Sequence, residues 1–201
     1  APVLDVARDP RWGRVEETFG EDPYLVSRMG VAYVRGVQGA SLTNGVIATA
    51  KHFMGYGAGE GGLNWAPSLL PRRELLERFL PPFAAAIREA GLASVMNGYQ
   101  EIDGIPCGAS KWLLDDLLRG RLGFDGVVVA DYFTVVCLQS YHRIVADKSG
   151  AAARSLSAGL DVELPTVDCY GEPLMQAIAR GEVDEALVDR SVGRVLRQKF
   201  A

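Results

Sequence analysis

The sequence predicts an α/β protein built on a parallel sheet, and three observations lead to this fold class. The run Val127–Val129 is apolar without alternation, as in a strand that is covered on both faces. Amphipathic segments with apolar residues at helical spacing separate this run from similar ones. Strand and helix alternate in units of roughly 35 to 45 residues, which predicts right-handed βαβ crossovers.

Five strands are predicted in chain order, and each delivers a polar residue near its end. They are residues 3–6, leading to Arg14; 46–50, delivering Lys51 and His52; 93–99, delivering Tyr99; 127–129, delivering Asp131; and 160–165, delivering Glu163. Parallel strands present their C-terminal ends on the same side of a sheet, where reacting groups collect in barrel enzymes. The five polar clusters are therefore expected to converge on one face.

Helices are predicted between these strands, at residues 23–37, 72–80, 110–120, 147–159 and 185–200. The pair Pro81-Pro82 is expected to kink or split its helix, because proline lacks a backbone N–H. Side chains alternate along an extended strand, so Lys51 and His52 reach one ligand only if the backbone is distorted. We therefore expect an unusual peptide bond, such as a cis bond, at or next to this pair.

Asp131 follows the most clearly predicted strand, and its position alone leaves two interpretations open. A lone carboxylate at the C-terminal end of a barrel strand is a candidate nucleophile or base. An aspartate at this point is equally typical of a turn or of a helix N-cap.

Composition narrows the function classes. The net charge of −4 argues against nucleic acid and anionic membranes as partners, and no apolar run approaches the ~20 residues of a membrane span. Cys107, Cys137 and Cys169 are odd in number and widely spaced, so they are interpreted as ordinary thiols, which favours a reducing compartment such as the cytoplasm. The two histidines lie too far apart in sequence to predict a metal site.

Residues 57–62, GAGEGG, follow a predicted strand and match the GxGxxG pattern of dinucleotide-binding loops. They run into LNWAP instead of opening a helix, so a flexible loop over a ligand site is favoured and no cofactor is predicted. Trp12 is interpreted either as a residue that stacks on a ligand or as a packing residue, and Trp65 and Trp112 as packing residues.

Four phrases place the polar residues in a recognisable order: LDVARDPRWGRVEETFGEDPYL, ATAKHF, SVMNGYQEIDGIPC and GFDGVVVADY. With Arg14, Lys51, His52, Tyr99 and Asp131 in these settings, the chain resembles glycoside hydrolase family 3 nearly end to end. The resemblance implies a (β/α)8 TIM-type barrel, of which residues 1–201 cover about the last five β/α units. By the same resemblance, the barrel start and a C-terminal α/β sandwich domain lie outside this partial N-terminal domain.

The resemblance also implies a function. Asp131 would be the nucleophile of a retaining exo-β-glycosidase that removes terminal β-D-glucosyl or β-D-xylosyl residues through a covalent glycosyl-Asp intermediate, without a cofactor. The residues implied to bind the terminal sugar are Arg14, Lys51, His52, Met96, Tyr99 and Tyr132. Tyr132 stands where the family usually has Trp, a variant associated with β-xylosidase-like and broad-specificity members. Glu163 matches an acidic residue after the last strand and is given no catalytic role.

The general acid is not found in this chain. Family members that act on N-acetylglucosamine carry it in the loop after the KHF motif, where this chain has Tyr56, Gly62 and Asn64 instead. The acid is therefore expected from the C-terminal domain, and residues 1–201 alone are expected to be inactive. The implied partners are β-glucosides, β-xylosides or oligosaccharides, with a homo-oligomer as a further expectation.

Two alternatives from other classes remain open. A barrel that lacks an acid is also consistent with a noncatalytic carbohydrate-binding fragment. A lysine at the end of a barrel strand is how Schiff-base aldolases present their amine, so Lys51 is a candidate covalent catalyst in that interpretation.

Overall fold

The computed structural model describes residues 1–201 without a gap. The chain divides into two compact units, Ala1–Cys107 and Gly108–Ala201. None of the helices combines the length and the apolarity that crossing a membrane requires.

The first unit mixes helices and short strands. In chain order it contains α1 (Pro23–Gln38), β1 (Thr49–Phe53), α2 (Arg72–Glu74), a π-helical turn (Leu75–Phe79), α3 (Leu80–Ala90), β2 (Ser94–Asn97), β3 (Glu101–Ile102) and β4 (Ile105–Pro106). Short 3-10 turns lie at Val15–Glu17, Tyr56–Ala58 and Glu60–Gly62.

The second unit is mainly helical around one strand. After a 3-10 turn at Cys107–Ala109 it contains a π-helix (Trp112–Arg121), β5 (Val127–Val129), α4 (Thr134–Ser140), α5 (Lys148–Ala158), α6 (Glu172–Ala179) and α7 (Ala186–Lys199). The predicted helices over 110–120, 147–159 and 185–200 are confirmed, whereas α4 and α6 were not predicted.

The predicted strands pair in parallel in both units, as the α/β prediction requires. In the first unit β1 pairs with β2, and Val3 forms a parallel bridge to Lys51. In the second unit Val129 of β5 forms a parallel bridge to Val162. The predicted strands 3–6 and 160–165 are thus present as single bridges, and β3 and β4 add a small antiparallel pair that was not predicted.

The predicted bounds 46–50 of β1 are wrong. The strand begins at Thr49 and runs to Phe53, while Val46 is 69% exposed and donates its N–H to the carbonyl of Val37 in the last turn of α1. Lys51 and His52 therefore lie inside the strand rather than beyond its end. The apolar run predicted too early a start because it includes Val46. This residue lies in the connection between α1 and β1, not in the buried part of the sheet.

Helix α1 shows how the sequence sets its ends. Asp22 caps the N-terminus by accepting N–H bonds from Tyr24 and Leu25, and Pro23 occupies the first turn, where no N–H is needed. The helix packs against α3. Arg35 donates to the Glu89 carbonyl at 2.7 Å, which fixes this packing.

The two prolines do not break their helix. A π-helical turn precedes them, in which the N–H of Leu80 donates to the Leu75 carbonyl five residues back. Pro81 and Pro82 have no N–H to donate to the preceding turn, and the wider turn accommodates this loss. The predicted helix 72–80 consequently continues through α3 to Ala90.

One buried carboxylate connects several elements of the second unit. Asp161 accepts from Arg119 and Arg194 at 2.7 Å each, from the Ser191 hydroxyl at 2.8 Å and from the Val128 N–H at 2.9 Å. These bonds connect the π-helix, β5 and α7. Burial is the main cause that lowers the pKa of Arg119 to about 10.

Candidate active site

Asp131 lies just after β5 and is only 8% exposed. Its Oδ1 accepts the N–H of Tyr132 at 2.9 Å, and its carbonyl accepts the N–H of Thr134 at 2.9 Å. The N-cap of α4 is Phe133, without a side-chain capping bond. The interpretation of Asp131 as a helix N-cap is therefore wrong. The N–H of Tyr132, in the turn that follows, orients the carboxylate instead. Tyr132 is 52% exposed.

In the first unit, the Tyr56 ring is the centre of an aromatic and cationic cluster. The Arg14 guanidinium carbon lies 5.6 Å from its centroid, and the rings of His52 and Tyr99 approach edge-on at 5.1 and 6.1 Å. Three of the residues implied to bind sugar thus contact one ring. Tyr56 was noted in the sequence only as a substitution for histidine, and its hydroxyl donates to the Asn64 Oδ1.

His52 is held by a partner that the sequence reasoning missed. Asp5 Oδ2 lies 2.7 Å from His52 Nδ1 and accepts the His52 backbone N–H at 3.1 Å, and both side chains are fully buried. These two contacts to one carboxylate oxygen fix the orientation of the His52 ring. The polar residue within the apolar run VLDV was the available signal.

The backbone at this strand confirms the expected distortion. The Lys51-His52 peptide is cis, and so is Phe53-Met54 two bonds further on. Lys51 itself is half-buried.

Arg14 is paired with Glu17, a second partner that was missed. The guanidinium donates two bonds to the Glu17 carboxylate, at 2.7 and 2.8 Å. This pairing raises the pKa of Arg14 and lowers the pKa of Glu17, and the charges of Lys51 and His52 lower the pKa of Glu17 further. Arg14 and Glu17 therefore form a close ion pair in the first unit.

The remaining residues implied to bind sugar in the first unit lie on or just after β2. Met96 is half-buried within the strand, and Tyr99 stacks on Trp65 with ring centroids 4.4 Å apart. Trp12 is 2% exposed and packs edge-on against Tyr56, so the packing interpretation of Trp12 applies.

The Gly-rich loop forms two 3-10 turns and opens no helix, which agrees with rejecting the dinucleotide interpretation. Its glycines allow close packing: a Cβ at Gly57 would lie 2.7 Å from the Val6 carbonyl oxygen. At Gly62 the backbone has φ +69°, and a Cβ would lie 2.9 Å from the Trp12 nitrogen. No group of three or more His, Cys, Asp or Glu side chains is arranged to hold a metal ion. The three cysteines are free and buried, as expected of ordinary thiols.

The family model described as the Glycosyl hydrolase family 3 N terminal domain matches residues 1–198. The chain belongs to glycoside hydrolase family 3. This membership confirms the predicted resemblance and the TIM-type α/β fold class.

Named relatives agree with this membership. A β-xylosidase of Formosa agariphila is 44% identical over 100% of this chain and 29% of its own length. A solved β-glucosidase from Erythrobacter marinus has a TM-score of 0.96 and 43% identity, covering 100% of this chain and 27% of that one. A β-glucosidase from Listeria innocua, solved in complex with glucose, has a TM-score of 0.95 and 42% identity over 99% of this chain and 28% of that one. The chain thus spans less than a third of the length of these relatives.

Proposed function

We propose that the protein carrying this chain is a retaining exo-β-glycosidase that releases single glucose or xylose units from nonreducing ends, with Asp131 as its nucleophile. The observation that carries the proposal is the Asp131 turn. A retaining mechanism needs one carboxylate held ready to attack the anomeric carbon. Asp131 follows a barrel strand, is nearly buried, and has its Oδ1 held by the Tyr132 N–H.

The first unit supports the sugar-binding part of the proposal. Arg14, Lys51, His52, Met96 and Tyr99 are proposed as sugar-binding residues of this unit, and Tyr132 is proposed as a sugar-binding residue of the second unit. A guanidinium and an ammonium donate charge-assisted bonds to hydroxyl groups, and the contact with Asp5 fixes the orientation of the His52 imidazole. Glucose and xylose are both retained as substrates because the relatives include a β-xylosidase and β-glucosidases.

The general acid is proposed to come from outside residues 1–201. None of the three loop positions Tyr56, Gly62 and Asn64 carries a carboxyl group. Gly62 has no side chain, and the Tyr56 hydroxyl donates to the Asn64 amide oxygen. A retaining glycosidase requires a second carboxyl group to protonate the leaving oxygen. The C-terminal domain expected from the family resemblance is the proposed source.

The test is the substitution Asp131→Asn in the full-length protein that carries this chain. The amide is isosteric but not nucleophilic, so turnover of aryl β-glucosides and β-xylosides should fall by about 10³-fold or more while the thermal unfolding midpoint stays close to wild type. Azide should partly rescue Asp131→Gly and yield a glycosyl azide. Asp125→Asn, on the exposed turn before β5, is the matched control and should leave turnover unchanged. Activity of Asp131→Asn within about tenfold of wild type would refute the assignment.

A further inference from the structure

Glu163 makes contacts in the second unit that its position in the sequence does not explain. Its carboxylate accepts three consecutive backbone N–H groups, from Asp168 at 3.1 Å, Cys169 at 2.9 Å and Tyr170 at 2.7 Å. A carboxylate in such a nest of amides is held in one place and closes residues 163–170 into a ring.

The residues on either side of Glu163 hold the Asp131 turn. The Val162 carbonyl accepts the N–H of Ala130 at 2.8 Å, and the Leu164 carbonyl accepts the N–H of Phe133 at 2.8 Å. These two bonds bracket Asp131 from before and after. Any shift of the segment around Glu163 is therefore transmitted to the backbone that carries the Asp131 carboxylate.

The turn needs such support because of Phe133. This bulky residue has φ +66°, in the left-handed region that residues with a Cβ rarely adopt. Strained residues of this kind persist where the surrounding structure fixes them, and they cluster at functional sites. Between Phe133 and Asp131, the N–H of Tyr132 orients the carboxylate at Oδ1.

We propose that Glu163 is a positioning residue for the nucleophile: by closing the 163–170 ring it fixes the Val162 and Leu164 carbonyls, and through them the Asp131 turn. The proposal rests on the proposed role of Asp131. It gives Glu163 an indirect part in the reaction, through the backbone that carries Asp131.

The experiment compares Glu163→Gln and Glu163→Ala with wild type in the full-length protein, using an aryl β-glucoside and an aryl β-xyloside. A displacement of the order of 1 Å at a reacting group costs up to about 10²-fold in rate. We expect kcat to fall by about 10- to 100-fold in Glu163→Gln and further in Glu163→Ala, with KM within about threefold of wild type. Azide should not rescue Glu163→Ala, because the nucleophile is still present.

Two further variants separate positioning from general stability. Ser191→Ala removes the buried bond to Asp161 in the same unit and should lower the unfolding midpoint without changing kcat. Phe133→Asn places a residue that tolerates the left-handed conformation in the turn. In the Glu163→Gln background, Phe133→Asn should recover part of the lost kcat, since the turn then depends less on the Leu164 bond.

The outcomes distinguish the two proposals. If wild type hydrolyses the glycosides, Asp131→Asn is inactive and Glu163→Gln keeps the wild-type kcat with only a lower unfolding midpoint, then the positioning role is refuted and the nucleophile stands. A loss that appears in KM alone, or no recovery by Phe133→Asn, would also refute the positioning role. If Asp131→Asn keeps its activity, the proposed function itself fails.

Discussion

Polar side chains in the first unit depend on specific carboxylate partners. Asp5 orients His52 from inside the fold, and Glu17 engages Arg14 through two bonds at the surface. Arg14 and His52 could be singled out from the sequence as candidate sugar-binding residues, because each lies within a recognisable sequence segment. The partner of His52 could not be predicted, since nothing in the spacing of Asp5 indicates which side chain it meets. The partner of Arg14 had a signal, because Glu17 follows it by three residues, a separation at which side chains pair on a helical turn.

The Arg14–Glu17 pair predicts a pH dependence. Arg14 lowers the pKa of Glu17 below its ordinary value of 4.5. The sign follows from linkage: a depressed carboxyl pKa contributes stability above the unfolded pKa, and this contribution is lost as pH falls through the folded pKa. The unfolding midpoint of wild type should therefore drop more between about pH 5 and pH 3 than that of Glu17→Gln.

Thermal unfolding of both proteins across this pH range is the measurement. Glu182→Gln is a suitable comparison within the second unit, because Glu182 also pairs with an arginine, Arg180, and this pairing also lowers the pKa of Glu182. Identical pH profiles for wild type and Glu17→Gln would contradict a stabilising role of the pair. Because Glu17 is partly exposed, salt should weaken the difference.

At the scale of elements, local patterns predicted the helices better than the strands. The capping aspartates Asp22 and Asp147 and the regular apolar spacing made α1 and α5 predictable. The bounds of β1 were not predictable from the apolar run in the sequence. Strand ends depend on which backbone groups find partners elsewhere in the chain, and Val46 finds its partner at Val37, the end of the preceding helix. The π-helical turn similarly depends on the prolines that follow it.

The Gly-rich loop gives a prediction at this scale. Gly57→Ala places a Cβ 2.7 Å from the Val6 carbonyl oxygen, a backbone atom that must shift. We expect a destabilisation of about 1–3 kcal/mol, seen as a lower unfolding midpoint. Gly36→Ala is the matched control in the same unit: no atom lies within 4 Å of its Cβ, and alanine favours the helix by up to about 1 kcal/mol. An unchanged midpoint for Gly57→Ala would show that the loop does not need glycine there.

At the scale of the whole molecule, each unit presents apolar side chains to solvent. Helix α1 exposes Tyr24, Met29 and Tyr33, and the end of the second unit exposes Leu196 and Phe200, the last at 85%. Large contiguous apolar patches mark interaction surfaces, and we predict that these side chains belong to such surfaces. The family and its fold could be predicted from sequence because the matching phrases extend along nearly the whole chain, whereas these surfaces become apparent only once the helix faces are known.

These surfaces predict how the chain behaves alone. Expressed by itself, residues 1–201 should self-associate and bind a hydrophobic dye, and should not hydrolyse nitrophenyl β-glucosides or β-xylosides, because the proposed acid is supplied from elsewhere. Size-exclusion chromatography with light scattering, together with an activity assay, measures both. A monodisperse monomer that hydrolyses either glycoside would contradict this prediction and would make Glu60, which is exposed on the Gly-rich loop, the first candidate for the acid.

The most direct test of the whole account is covalent trapping in the full-length protein. A 2-deoxy-2-fluoro β-glucoside with a good leaving group should form a stable glycosyl ester, and peptide mass spectrometry should place the added mass on Asp131. A borohydride-trapped substrate adduct on Lys51 would support the aldolase alternative instead. Absence of any adduct, with retained sugar binding, would indicate a noncatalytic carbohydrate-binding protein. An adduct on any residue other than Asp131 would contradict the assignment of the nucleophile.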